Sequence, residues 1–113
     1  MTWNRATPEL PVKDVAETQA YYRDQFGFDI AWHNTGGRIG AVVRGDCTLF
    51  FRETDADYTP VSLWIFAEDI DALYGSLAES AADIVMPLTD TEWGLRQCSF
   101  RDLNGHHLIF HRD

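Results

Sequence analysis

Three of the four histidines lie in the closing stretch SFRDLNGHHLIFHRD, residues 99–113, with Asp102 and a glycine turn beside them. Imidazole and carboxylate crowded together are what a divalent ion asks for. The spacing argues against such a site. HHLIFHR reads as a strand, so His107, Ile109 and His111 fall on one face and His106, Leu108 and Phe110 on the other. His107 and His111 are then about 13 Å apart by strand rise, too far to share one ion. Leu108 and Phe110 belong to a helix-packed core, which turns His107 and His111 away from it. His33 and His106 are expected at the surface.

Other reactive side chains are equally unassembled. Cys47 and Cys98 have neither CxxC spacing nor a histidine pattern around them, and are expected as two buried, reduced thiols. The serines Ser62, Ser76, Ser80 and Ser99 lack the G-x-S-x-G elbow of a hydrolase. TGGRIG does not lead into a helix, so it is no phosphate loop.

At 113 residues the chain supports one packed domain, and a 45% hydrophobic fraction with mixed charges belongs to a globular protein. The formal charge of −9 excludes a nucleic-acid binder, which needs a basic face, and favours a cationic small ligand over an anionic one. No apolar run reaches the roughly 20 residues of a membrane span, and MTWNRATPEL lacks a signal-peptide core, so a cytoplasmic location without membrane contact is expected.

The elements that must position these residues come in two similar sets. In LPVKDVAETQAYYRDQFGFDI, Asp14 followed by Glu17 has capping-box spacing and predicts a helix from Val15. Val15, Thr18, Tyr22 and Phe26 recur at helical intervals, and Gly27 ends the run. FDIAWHN, RIGAVVR and CTLFFRE follow as strands, separated by TGG and RGD turns. VSLWIFA then reads as a strand, EDIDALYGSLAES as a helix capped by Asp69, ADIVMPL as a short strand, and GLRQCSFRD with HHLIFHR as a hairpin across LNG. Asp14 aligns with Asp69, Val15 with Ile70, and, after a one-residue gap, the Asp-Ile pairs closing each set align as well. The expected fold is α+β: two βαβββ modules, about 5–53 and 61–113, joined by a linker at about 54–60. Their sheets would curl into a shared cup within a single 1–113 domain.

VKDV before the first helix, YYRDQFGF along it and FRDLNG before the last strand make this pattern resemble the vicinal oxygen chelate superfamily of glyoxalases, extradiol dioxygenases and bleomycin-resistance proteins. The resemblance runs from about Thr7 to His111. TPELPVKDV, GAVVRGDCTLFF, LWIFAEDIDALY and EWGLRQCSFRDLNG are most similar to the bleomycin-binding resistance proteins. In the superfamily's enzymes four His, Glu or Gln side chains hold a metal. Carried over by motif, those places fall on Thr7, Phe50, Ser62 and Ile109, none a competent ligand, so neither metal nor cofactor is expected.

Strand alternation applied throughout leaves Thr7, Glu9 and Pro11, then Thr48, Phe50 and Arg52, and Ser62, Trp64 and Phe66 facing the cup. Trp32 lies one strand away, and Trp93 sits on a long TDTEWG loop able to close over the opening. The candidate ligand-binding residues are therefore Glu9, a lone acid, with Trp32, Ile39, Phe50, Ser62, Trp64, Phe66, Trp93 and His107. Aromatic faces with a few polar groups suit a flat, cationic, aromatic ligand. Trp64 and Trp93 are similar in place to residues with which the resistance proteins stack on bleomycin's bithiazole, whereas Ile39 stands where an aromatic is usual. The resemblance implies a metal-independent homodimer, with Pro8 at the hinge of an exchanged N-terminal strand, that sequesters an antibiotic of the bleomycin type. Two alternatives remain open. One is a metal-dependent lyase, isomerase or dioxygenase drawing ligands from Glu9, Glu53, His107 and His111. The other is a binding or interaction module for another hydrophobic metabolite.

Overall fold

The computed structural model describes all 113 residues. Its elements run β1 (Glu9–Val12), α1 (Val15–Phe26), β2 (Asp29–Asn34), β3 (Ile39–Arg44) and β4 (Cys47–Glu53). The second set is β5 (Ser62–Phe66), α2 (Ile70–Ala78), β6 (Asp83–Asp90), β7 (Arg96–Arg101) and β8 (His107–Arg112). The chain divides into two compact units, Met1–Tyr58 and Thr59–Asp113. Each unit has its own four-stranded sheet, ordered β1-β4-β3-β2 in the first and β5-β8-β7-β6 in the second. Both are mixed in the same way: the module's first strand runs parallel to its last, and the other pairings are antiparallel. Asp29 and Asp83, which the internal alignment matched, each open the strand after the helix.

Helix α1 begins where the spacing predicts. Asp14 is extended, and its side chain accepts from the Glu17 amide at 2.8 Å. A second free amide of the first turn, that of Val15, donates to Glu53 at the end of β4, which ties the helix start to the sheet. At the other end Gly27 adopts the left-handed conformation (φ 72°), and Arg44 donates to the Phe26 carbonyl at 2.7 Å. The inward stripe of α1 meets Leu10, Val12, Val42, Leu49 and Phe51, all fully buried or nearly so, with the Tyr22 ring 5.1 Å from Phe26 and 4.9 Å from Phe51. Contact is close at Gly40 on β3, where a Cβ would come within 2.6 Å of Val15 and 2.7 Å of Gln19.

In the second module Asp69 caps α2 by accepting from the Ala72 amide at 3.2 Å. Ile70 and Leu77 pack with Cys98, Phe100, Leu108 and Phe110. The loop that carries FRDLNG folds around Asp102, whose buried carboxylate accepts from the amides of Asn104 and His106. This corrects one expectation. His106 is not a surface residue but is fully buried, and its Nδ1 accepts from the Val61 amide at 3.1 Å, fixing the entry into β5. Position parity sets His106 on the side of core Leu108 and Phe110, and its side chain stays inward because an imidazole can satisfy a main-chain donor there. His33 is exposed, as expected. Cys98 is fully buried and its thiol is pushed up to about 11 by burial, whereas Cys47 is only half-buried, short of the expectation for it. No helix is long and apolar enough to cross a membrane.

Candidate functional site

Each sheet covers one side with a helix and leaves the other free of one, and the candidate residues sort onto those free sides. In the first module the pairing sets Glu9, Phe50, Ala41 and Trp32 in one row across all four strands. Ala41 is small enough for its neighbours to meet above it, and the Trp32 and Phe50 rings stand edge to face at 5.2 Å. A bulge between Ile30 and Trp32 re-aims the β2 edge. Buried Gln19 of α1 stabilises that irregularity, donating its side-chain amide to the main-chain oxygens of Trp32 at 2.8 Å and Ala41 at 3.1 Å. The next row holds Pro11, Arg52, Ile39 and Asn34, with Ile39 half-buried.

Glu9 is the one acid in these two rows, and it is paired. Arg52 donates to its Oε1 through Nη2 at 2.9 Å and Nε at 3.2 Å, so its charge is answered within the face. Alternation put both residues on this side, but the diagonal reach from β4 to β1 is a matter of rotamer that parity does not carry. Thr7 lies before β1; the residue paired with Phe50 is Glu9.

The second module repeats the arrangement. One row is Ser62, His107, Arg101 and Asp83; the next is Trp64, Ile109, Ser99 and Met86; the third joins Phe66, His111 and Gln97. Trp64 and Phe66 are 54% and 55% exposed, and Trp32 in the first module is 43% exposed. Such large rings on the unhelixed side are the strongest sign of a contact surface on the molecule. Ser62 is exposed beside half-buried His107. Burial, with the Arg101 charge second, holds His107 below the ordinary imidazole value, so it is neutral near pH 7.

Trp93 is 64% exposed but does not ride on a long flexible loop. β6 continues to Asp90, beyond the short strand expected, so only 91–95 connect it to β7. Main-chain and hydroxyl bonds between Thr91 and Leu95 close that turn at 2.8–3.1 Å. The Trp93 indole donates to Gln97 Oε1 at 3.1 Å, so the ring is anchored to the sheet. The expected strand already held Pro87, which an edge strand such as β6 tolerates, and it stopped two residues short of the observed end. No motif singles out Gln97; the only signal was its alternation with core Cys98.

A divalent ion of the enzymatic kind does not fit these residues. Phe50, Ser62 and Ile109 offer no strong donor, and nowhere do three or more His, Cys, Asp or Glu side chains converge closely enough to hold one. His107, Ile109 and His111 do share a face, as alternation predicts, but as successive rows of one strand.

No curated protein matches the chain in sequence. Among solved structures, TioX from Micromonospora sp. ML1 is 27% identical with a TM-score of 0.85, over 97% of this chain and 98% of that one. The bleomycin resistance determinant encoded on transposon Tn5 is 24% identical with a TM-score of 0.81, over 98% of both chains. A bleomycin-binding protein complexed with bleomycin is 22% identical with a TM-score of 0.77, over 98% of this chain and 99% of that one. At that identity the last two likenesses establish the fold alone. The Glyoxalase/Bleomycin resistance protein/Dioxygenase superfamily model matches residues 4–110, nearly the whole chain, and the protein belongs to that superfamily.

Proposed function

We propose that this protein is a metal-independent binding protein that sequesters a flat, cationic, aromatic antibiotic of the bleomycin type. The observation that carries the reading is the set of exposed rings, Trp32, Trp64, Phe66 and Trp93, on sheet sides without a helix. Rings so placed supply stacking area and attract cationic groups. The charge of −9 favours a cation at long range. Two neighbours in structure carry bleomycin resistance or binding in their names, which supports the ligand class. Sequestration confers resistance by mass action, because bound drug is withdrawn from its target, and no chemical step is required. The working form is a homodimer with an N-terminal strand passed between subunits.

A second reading, a binding module for another hydrophobic metabolite, draws on the Glu9–Arg52 pair, which neutralises the acid that would have selected a cation in the first module. One titration separates the two. Metal-stripped protein is titrated with metal-free and with copper-loaded bleomycin while tryptophan fluorescence is followed. Sequestration predicts saturable quenching at micromolar concentration or below, about one ligand per subunit, with affinity at least about tenfold weaker in Trp64→Ala. A flat titration with both forms removes bleomycin as ligand and leaves the second reading.

A further inference from the structure

The row Phe66–His111–Gln97 holds two polar groups that are poorly satisfied. His111 Nδ1 is shut from solvent without a hydrogen-bond partner; the Asp113 carboxylate stands 4.0 Å away, beyond hydrogen-bond reach. Gln97 is 5% exposed. Its Oε1 is occupied by the Trp93 indole, but its amide nitrogen faces only the Met86 thioether at 3.5 Å, a weak acceptor. A buried polar group left unmatched costs about 1–3 kcal/mol, so the His111 nitrogen, beside the weakly matched Gln97 amide, calls for a reason. Their surroundings supply one. The His111 imidazole lies 5.8 Å from the Trp64 ring and 5.8 Å from the Phe66 ring, edge-on to both. Trp93 is held on Gln97 by its indole N–H.

We infer that His111 and Gln97 form the polar floor of a notch walled by Trp64, Phe66 and Trp93. The notch takes a flat bicycle whose edge presents a hydrogen-bond donor beside an acceptor, as a ring lactam does. The lactam carbonyl accepts from the Gln97 amide, and its N–H donates to His111 Nδ1. This deepens the proposed function and rests on its aromatic-contact reading. Reaching the floor requires the half-exposed Trp64 and Phe66 side chains to part, so the ligand inserts between them.

Three probes of similar shape test it: 2-quinolone, N-methyl-2-quinolone, which lacks the donor, and naphthalene, which lacks both groups. Binding is followed by the tryptophan indole N–H signals in nuclear magnetic resonance titrations. The wild type is expected to prefer 2-quinolone over N-methyl-2-quinolone by about tenfold. His111→Phe, which keeps a ring between Trp64 and Phe66, should erase that preference, and a preference retained in that variant overturns the role of His111. In the wild type the His111 Nδ1 nitrogen shift should move with 2-quinolone and stay still with naphthalene, a readout that does not depend on the variant folding. Equal binding of all three probes overturns the polar floor while sparing the aromatic contact. Binding of none, naphthalene included, overturns the aromatic contact and the floor with it.

Discussion

His107 and His106 are adjacent in sequence and opposite in role, and the difference lies in what each nitrogen meets. His106 is sealed in the core because Val61 offers its amide to Nδ1. His107 has a shielded Nε2 without a partner, and burial keeps its imidazole neutral. Because its native pKa is lowered, the unfolded chain takes up a proton near the ordinary value of about 6.5 while the native state does not. The unfolded state then binds more protons, and stability must fall as the pH drops through that value toward the lowered one. Urea midpoints at pH 7.5 and pH 5.5 should therefore differ more in the wild type than in His107→Phe; an equal difference in both would remove His107 as the cause. Residue parity in the sequence was sufficient to place His107 on the unhelixed side. It also set His106 on the core side with Leu108 and Phe110, but it could not supply what makes that burial tolerable, a donor 45 positions away.

The elements were legible almost throughout, since caps, turns and alternation all agree in this chain. Asp14, Gly27 and Asp69 act where their types predict, and the repeated order of strands follows from two similar helix starts. What the sequence hid are the joints between elements. Gln19 reads as one more polar residue on α1, yet it reaches across to satisfy two carbonyls at the bulge that aims Trp32. Gln19→Leu should fill the same space while stranding both oxygens, lowering stability by about 2 kcal/mol in urea unfolding. Trp32 fluorescence, isolated by replacing the other tryptophans, should show greater exposure in that variant. Unchanged stability would mean that the bulge is held by the β2–β3 pairing alone. The β6 strand was underestimated at its end for a similar reason: Thr89 and Asp90 carry no strand signal of their own and join the sheet by pairing with Gln97 and Arg96 of β7.

On the scale of the molecule, two modules each leave aromatic surface uncovered, and the chain carries nine more negative than positive charges to keep it in solution. The proposed homodimer predicts a mass of about twice 12.9 kDa in sedimentation at micromolar concentration, reduced toward one chain by Phe66→Asp. A single-chain mass in the wild type would leave the rings free for ligand alone and remove the exchanged strand from the proposal. Strand parity placed Glu9, Phe50, Ser62, Trp64, Phe66 and His107 because parity decides which side of a sheet a residue faces. The Glu9–Arg52 pair, the tight turn under Trp93 and the roles of Gln97 and His111 were not recoverable from it, because each depends on a neighbouring strand. The two buried glutamines also differ in what they grip. Gln19 holds Trp32 by its main chain, so another side chain at position 32 keeps the anchor, whereas Gln97 holds Trp93 by the ring itself, and a side chain without an N–H donor there loses that bond. A lineage diversifying this scaffold is therefore free to vary its ligand range at position 32 with little structural penalty, while a change at position 93 forfeits the anchor unless it brings a donor of its own.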